Sequence, residues 1–423
     1  MRDLIQPLVN GEAMISRGAG SRLVLVLLTL SLPIYLTVVF MLGPLLAQLA
    51  WEFDTSVAIT GQLASATFMA WGVGAILTAP LSDSFGRRPV LLVALFLTAA
   101  LVALSGIAWN YSSLLVLRVI TALVASALPT TTMAAIIDLL PPQSRPRGLA
   151  VVSSTVMLGP LFGVPAVSLV ADILGWRGPF FAISAALVII MIGAFLTVPK
   201  QPQDETERSS GFFSHREAYV ALSKRLDLWL VLIGNLVLRA NSAVIITYMA
   251  AFLIASHALD EGQVALPLAL VSLGLVIGSL TGGEVSRNRW CLLILALTFT
   301  MAGLTGTFLF ESTLNTWVSV GMGFSVGALT HLAMPTFLNI VARVSGEHRS
   351  SAMGLFVVTN QWGSLLGAAP GGLILAKGGY GPLGFLLLGM ALAGSAVCLV
   401  LWRRQNSEHR RQTPYNLRSV EDG

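Results

Sequence analysis

Residues 22–50 read RLVLVLLTLSLPIYLTVVFMLGPLLAQLA, and after Arg22 no charged side chain interrupts the chain before Glu52. A helix rises about 1.5 Å per residue, so roughly 20 mostly apolar residues cross a hydrocarbon core of about 30 Å. The stretch therefore reads as a membrane span. It is too long for the apolar core of a cleavable leader and lacks a small-residue cleavage site, so it is expected to stay as the first helix. A strand does not fit: the apolarity is continuous rather than alternating, and the run is more than twice the length that a tilted barrel strand needs. In lipid the backbone donors and acceptors have to be satisfied within the run, which a helix does.

Working outward, the same signature recurs at 57–80, 90–109, 112–137, 149–171 and 180–198, and, after a polar stretch, at 228–255, 264–281, 290–310, 317–341, 353–376 and 383–401. The pattern predicts an all-α polytopic membrane protein of twelve transmembrane helices in two six-helix halves. Its expected organisation is an N-terminal tail over 1–21, a first half over 22–198, a linker over 199–227, a second half over 228–402 and a C-terminal tail over 403–423. The linker carries the longest charged stretch between apolar runs. Only 11% of the 423 residues are charged and the mean hydropathy is +0.80, whereas ordinary soluble domains carry about 25% charged residues. Lipid is the solvent for most of this chain.

Cytoplasmic loops hold the excess of lysine and arginine. With the N-terminus inside, all but four of the 25 basic residues fall on the cytoplasmic side; the exceptions are Arg177 and Lys377 outside and Arg118 and Arg239 within helices. Both termini are thus expected to be cytoplasmic. The net charge of +5 belongs to this asymmetry and not to nucleic acid, since no basic face interleaved with aromatics appears. Cys291 and Cys398 lie inside apolar runs and suggest neither a disulfide framework nor a metal site. The sequence carries no Walker-type phosphate-binding loop, no His-Glu-x-x-His and no cysteine cluster, so neither an enzyme nor a bound cofactor is expected. A faint repeat runs through the chain: a shift of 204 residues lays Arg145 on Arg349, Gly159 on Gly363 and Gly163 on Gly367.

The strongest local motif is Ala79-Pro-Leu-Ser-Asp83-Ser-Phe-Gly86-Arg87-Arg88-Pro89, between the second and third runs. Gly86 permits a tight turn, and Asp83 stands where it can pair with Arg87, Arg88 or a helix end, which makes a latch able to close in one conformation and break in another. The stretch resembles the loop signature of the major facilitator superfamily, Gly-x-x-x-Asp-x-x-Gly-Arg-Arg/Lys, with Ala79 at its first position. In the fifth run Gly159-Pro160-Leu161-Phe162-Gly163 is a helix-packing motif, because small residues let helices approach and proline frees a carbonyl. With Gly175-Trp176-Arg177 it resembles the antiporter signature of twelve-helix drug:proton antiporters, although Val164 replaces the motif's last glycine.

Ionisable residues at membrane depth are functional hypotheses by default. Arg118 in the fourth helix resembles the arginine linked to proton transfer in proton-coupled members of the superfamily. In the seventh helix Asn235, Arg239 and Ser242 share one face, and a lipid-facing arginine at that depth costs roughly 2.5–3.5 kcal/mol on insertion scales. Tyr35, Gln62, His331, Asn360, Gln361 and Trp362 add polar or aromatic groups at depth, and the resemblance, which assigns the first, fourth, seventh and tenth helices to the central cavity, promotes Tyr35, Arg118, Arg239 and His331. No Asp or Glu lies mid-span. A cavity with arginines and no carboxylate suits neutral or anionic solutes better than organic cations. If protons drive transport, the titrating group is then a helix-end carboxylate such as Asp138, or His331, since a free histidine titrates at about 6.5.

The expected function is export of a small neutral or anionic organic solute, a drug or metabolite, across the inner membrane by proton antiport with alternating access. The chain is expected to act as a monomer, its partners being solute, protons and the lipid bilayer. Two alternatives stay open: an importer of a small anionic metabolite, nucleobase or vitamin-like solute, and a non-transporting receptor or assembly factor with the same fold.

Overall fold

The computed structural model describes residues 19–139, 155–198, 219–311 and 315–412. Most of the linker and both chain ends lie outside these residues, as do the side chains of Asp83 and Asp138. The described elements are helical: α1 (Ala19–Phe40), α2 (Leu42–Glu52), α3 (Val57–Phe85), α4 (Arg87–Gly106), α5 (Tyr111–Ala125), α6 (Ala127–Leu139), a π turn (Gly159–Gly163) leading into α7 (Val164–Leu174), α8 (Arg177–Thr197), α9 (Leu226–His257), α10 (Ala265–Val285), α11 (Cys291–Leu309), α12 (Thr316–His331), α13 (Ala333–Val344), α14 (Arg349–Gly378) and α15 (Leu383–Gln412). Nine helical segments among the described residues are long and apolar enough to cross a membrane. The other three expected spans coincide with α3, α14 and the shorter segment Gly159–Leu174.

Local chemistry sets the ends. Ser56 caps α3 by accepting from the Ile59 amide at 3.2 Å, and Asn110 with Ser113 forms a reciprocal capping box at the start of α5, each satisfying amides that a first helical turn leaves without partners. Proline explains the interruptions. The breaks at Met41, Ser126 and Leu332 each stand three residues before a proline, Pro44, Pro129 and Pro335, whose missing amide deprives the carbonyl four residues back of its partner.

The exposed side of the bundle is apolar. Leu196, Leu280, Leu297 and Phe385 are between 62% and 74% exposed, which lipid requires and water penalises. Inside, glycine sets the spacing between helices, and it does so twice. A Cβ on Gly159 would meet the Pro33 carbonyl of α1 at 2.6 Å, and one on Gly163 would run into Thr37. In the second half Gly363 and Gly367 of α14 stand the same way against the backbone of Leu236 and Ala240 in α9. The sequence repeat is therefore a repeat of contact: the fifth run on the first, the eleventh on the seventh.

Contacts between the halves gather from mid-depth to the end of the bundle away from the chain termini, here called the far end. Gly43 abuts the Ile246 carbonyl, Gly61 the Tyr248 ring, and Gln62 Nε2 donates to the Ala369 carbonyl at 3.4 Å. Ser168 Oγ donates to the Glu261 carbonyl, and the Asp172 carboxylate packs on Gly262.

Candidate functional site

The second half supplies the polar wall of the interior. Asn235 is fully buried; its Nδ2 lies 2.9 Å from Thr359 Oγ1, 3.0 Å from Asn360 Oδ1 and 3.3 Å from the Phe356 carbonyl. That amide is fixed by α14, and its Oδ1 is buried without a partner among the described residues. One turn on, Arg239 rests its Cβ on Gly363. Its guanidinium makes no hydrogen bond or ion pair with any described residue, and Nε is buried. His331, at the end of α12, is buried beside the Gly327 backbone and feels the charge of Arg239. Gln361 is buried, and its Oε1 has no partner among the described residues.

The first half supplies an aromatic wall. Tyr35 stacks on Trp71 with ring centroids 5.5 Å apart and planes 26° apart, and Phe40 packs on Phe68 at 6.0 Å. Trp71 was missed at the level of sequence. The signal was there, because tryptophan ordinarily gathers at membrane interfaces and this one sits in the middle of the 57–80 run.

Arg118 is different from Arg239. It is completely buried, donates from Nη2 to the Val38 carbonyl at 2.6 Å and approaches Met41 Sδ at 3.8 Å. It therefore ties α5 to α1 just before the break at Met41 and does not reach for the interface. Gln62 is used in the seam between halves. Trp362 covers Gly72 at the same seam; 42% exposed, it shares an outward stripe of α14 with Leu366 and Leu373. Arg239 thus lies within electrostatic reach of both Tyr35 and His331, with Asn235 one turn away and bonded to Asn360; Gln361 Cβ faces Gly72, while Gln62, Trp362 and Arg118 do other work.

At the expected latch, Gly86 has φ +86°, a backbone that side chains disfavour. It turns α3 into α4 and aims Arg88 at α8, where Nη2 donates to the Phe195 carbonyl at 2.8 Å and the guanidinium lies 5.7 Å from the Phe195 ring. That carbonyl belongs to a last helical turn, whose acceptors lack partners within the helix.

This arrangement of paired helical halves around an interior site has known counterparts. The family model described as Major Facilitator Superfamily matches residues 28–342 and 231–419. The chain belongs to this superfamily. Among its relatives, the inner membrane transport protein YdhP of Escherichia coli (strain K12) is 26% identical over 366 residues, 84% of this chain and 89% of that protein. The chloramphenicol resistance protein of Streptomyces lividans is 28% identical over 267 residues, 61% of this chain and 67% of that one. A crystal structure of a D-xylose–proton symporter superposes with a TM-score of 0.71 at 15% identity, covering 90% of this chain and 97% of the symporter. Superfamily membership makes the chain an integral membrane transporter; the structural likeness speaks for the fold.

Proposed function

We propose that this major facilitator protein exports a small neutral or anionic organic solute across the cell membrane, driven by proton antiport, with both chain termini in the cytoplasm. The observation that carries the reading is Arg239, a guanidinium at membrane depth with no partner among the described residues. A desolvated cation of this kind is costly unless something pairs with it, and the solute is that partner. The mid-span positions, as read from the sequence, hold no carboxylate that would attract a cation instead. The relative named for chloramphenicol resistance favours export.

Transport follows as the halves rock about their seam and expose the interior to each side in turn. Asp83, Gly86, Arg87 and Arg88 act as the latch of one of the two states. Arg118 holds α5 on α1, and His331 or Asp138 carries the proton. Gly159, Pro160 and Gly163 form the tight contact on which the first half moves.

The test is flux in everted membrane vesicles energised by an imposed pH gradient, with labelled chloramphenicol and benzoate as probes. Export appears as gradient-dependent accumulation that collapses with a protonophore and is lost in Arg239→Ala. Accumulation only in right-side-out vesicles makes the chain an importer, and flux indifferent to Arg239→Ala removes the site. Gradient-driven flux that survives in both Asp138→Asn and His331→Ala removes both as proton carriers.

A further inference from the structure

The interior also states what kind of solute it takes, an inference that rests on reading it as the substrate site. Gly43 of α2 and Ile246 of α9 touch, which sets the first and seventh runs at one level. Tyr35 and Arg239 lie eight and seven residues before that contact, about 12 and 10 Å down helices that run the same way. The phenol and the guanidinium therefore stand at one depth, on opposite sides of the division between the halves, and each bears electrostatically on the other.

Their chemistry is complementary. Tyr35 is held flat by the Trp71 ring behind it, so it offers a rigid aromatic surface at little entropic cost. Its hydroxyl makes no hydrogen bond with any described residue. Arg239 offers a planar fork of donors, the geometry that suits a carboxylate. The count of charges matters as much as the sign. Arg118 is engaged by the Val38 carbonyl and Met41, which leaves Arg239 as the interior guanidinium without a partner among the described residues. With His331 neutral, a second negative charge on the solute would be buried uncompensated.

We propose that the site takes a planar aromatic monoanion, with its carboxylate on Arg239 and its ring against the face of Tyr35 opposite Trp71. The test uses the purified full chain in lipid nanodiscs and titration calorimetry with five probes: benzoate, cyclohexanecarboxylate, phthalate, benzyl alcohol and benzylamine. Benzoate is expected to bind tightest. Arg239→Gln is expected to weaken benzoate roughly tenfold or more, the loss of a charge-assisted pair, with Arg239→Lys between the two. Tyr35→Leu is expected to weaken benzoate several-fold while leaving cyclohexanecarboxylate within about twofold, since ring stacking is what it removes. The ranking on the unaltered chain needs no variant and guards against misfolding. Absence of benzoate binding, phthalate or benzylamine equal to benzoate, or benzoate affinity unmoved in a normally melting Arg239→Gln protein each overturns the proposal. Flux in proteoliposomes is read separately: benzoate bound but never carried refutes the transport reading alone, and a carried cation refutes the solute class alone.

Discussion

Alanine at Gly159 is the sharpest probe of how the first half is held together. The new Cβ would stand 2.6 Å from the Pro33 carbonyl oxygen and 2.8 Å from Leu36 Cβ, whereas an unstrained contact needs about 3.4 Å or more. The π turn must retreat from α1 by about 0.8 Å, and a backbone oxygen cannot rotate out of the way. Overpacking of this kind costs about 1–3 kcal/mol, set against up to about 1 kcal/mol gained in helix propensity on leaving glycine. The expected net loss is about 1–2 kcal/mol. Thermal unfolding of purified protein, followed by tryptophan fluorescence at fixed detergent, should show a midpoint lower by several degrees. Gly321→Ala is the control, because nothing lies within 4 Å of a Cβ there and alanine should be neutral or stabilising. Gly163→Ala adds a second arm. Its Cβ would meet Thr37 Oγ1, with Thr37 Cβ and Cγ2 both at 2.9 Å; Thr37→Ala removes two of the three obstacles and should restore part of the loss. Equal shifts for Gly159→Ala and Gly321→Ala, or no recovery in the double substitution, would refute close backbone contact as what binds α7 to α1.

Two further outcomes follow from the far end. With Cys291→Ser and Cys398→Ala as background, cysteines at Ser168 and Glu261, which now meet through a hydrogen bond, should cross-link under mild oxidation and stop transport, and reductant should restore it; cross-linked protein that still transports would show that the halves need not part there. Burial pushes the Tyr380 phenol up to about 12, its ring packed on Phe252 at 5.4 Å. The folded pKa lies above the unfolded one, so the stability it contributes is whole below pH about 10 and is lost as pH rises through about 12; a phenolate absorbance titration in which Tyr380→Phe removes no late-titrating tyrosine would contradict this.

The helices were legible because lipid imposes a length and a composition that single runs satisfy on their own. Arg239 was legible for the same reason, as a charge where charge is costly. The Gly159–Gly363 and Gly163–Gly367 coincidences were visible as spacing, but their meaning required the partners Pro33, Thr37, Leu236 and Ala240, which no local pattern names. Likewise Arg118 and Arg239 look alike in sequence; only the reach of Arg118 to the Val38 carbonyl separates an arginine that braces from one left open. Trp362 adjoins the polar pair Asn360 and Gln361 in sequence, yet two residues turn a helix by about 200°, enough to put Asn360 on Asn235 and Trp362 on Gly72 at the seam. The contacts of Ser168 and Asp172 with the 260–262 turn join loops whose proximity depends on how the halves dock, and a reading of one half cannot supply it.

The two halves are alike in their packing and unlike in the chemistry they present to the interior. Alternating access needs two arrangements of similar energy, and the same packing contact is used twice, glycine on the fifth and eleventh runs against the first and seventh. The same near-register that lays Pro33 on Leu236 and Thr37 on Ala240 lays Arg239 on Leu36, the neighbour of Tyr35. At equivalent levels one half therefore presents an aromatic ring and the other a cation. A symmetric site would bind the two ends of a solute alike and gain nothing from orientation; under the proposed binding mode, an asymmetric site in a symmetric frame holds an amphipathic solute one way round while the frame moves. Substitutions at Gly159, Gly163, Gly363 or Gly367 should accordingly alter stability and rate for every solute together, whereas changes at Tyr35 and Arg239 should re-rank solutes with the melting behaviour kept.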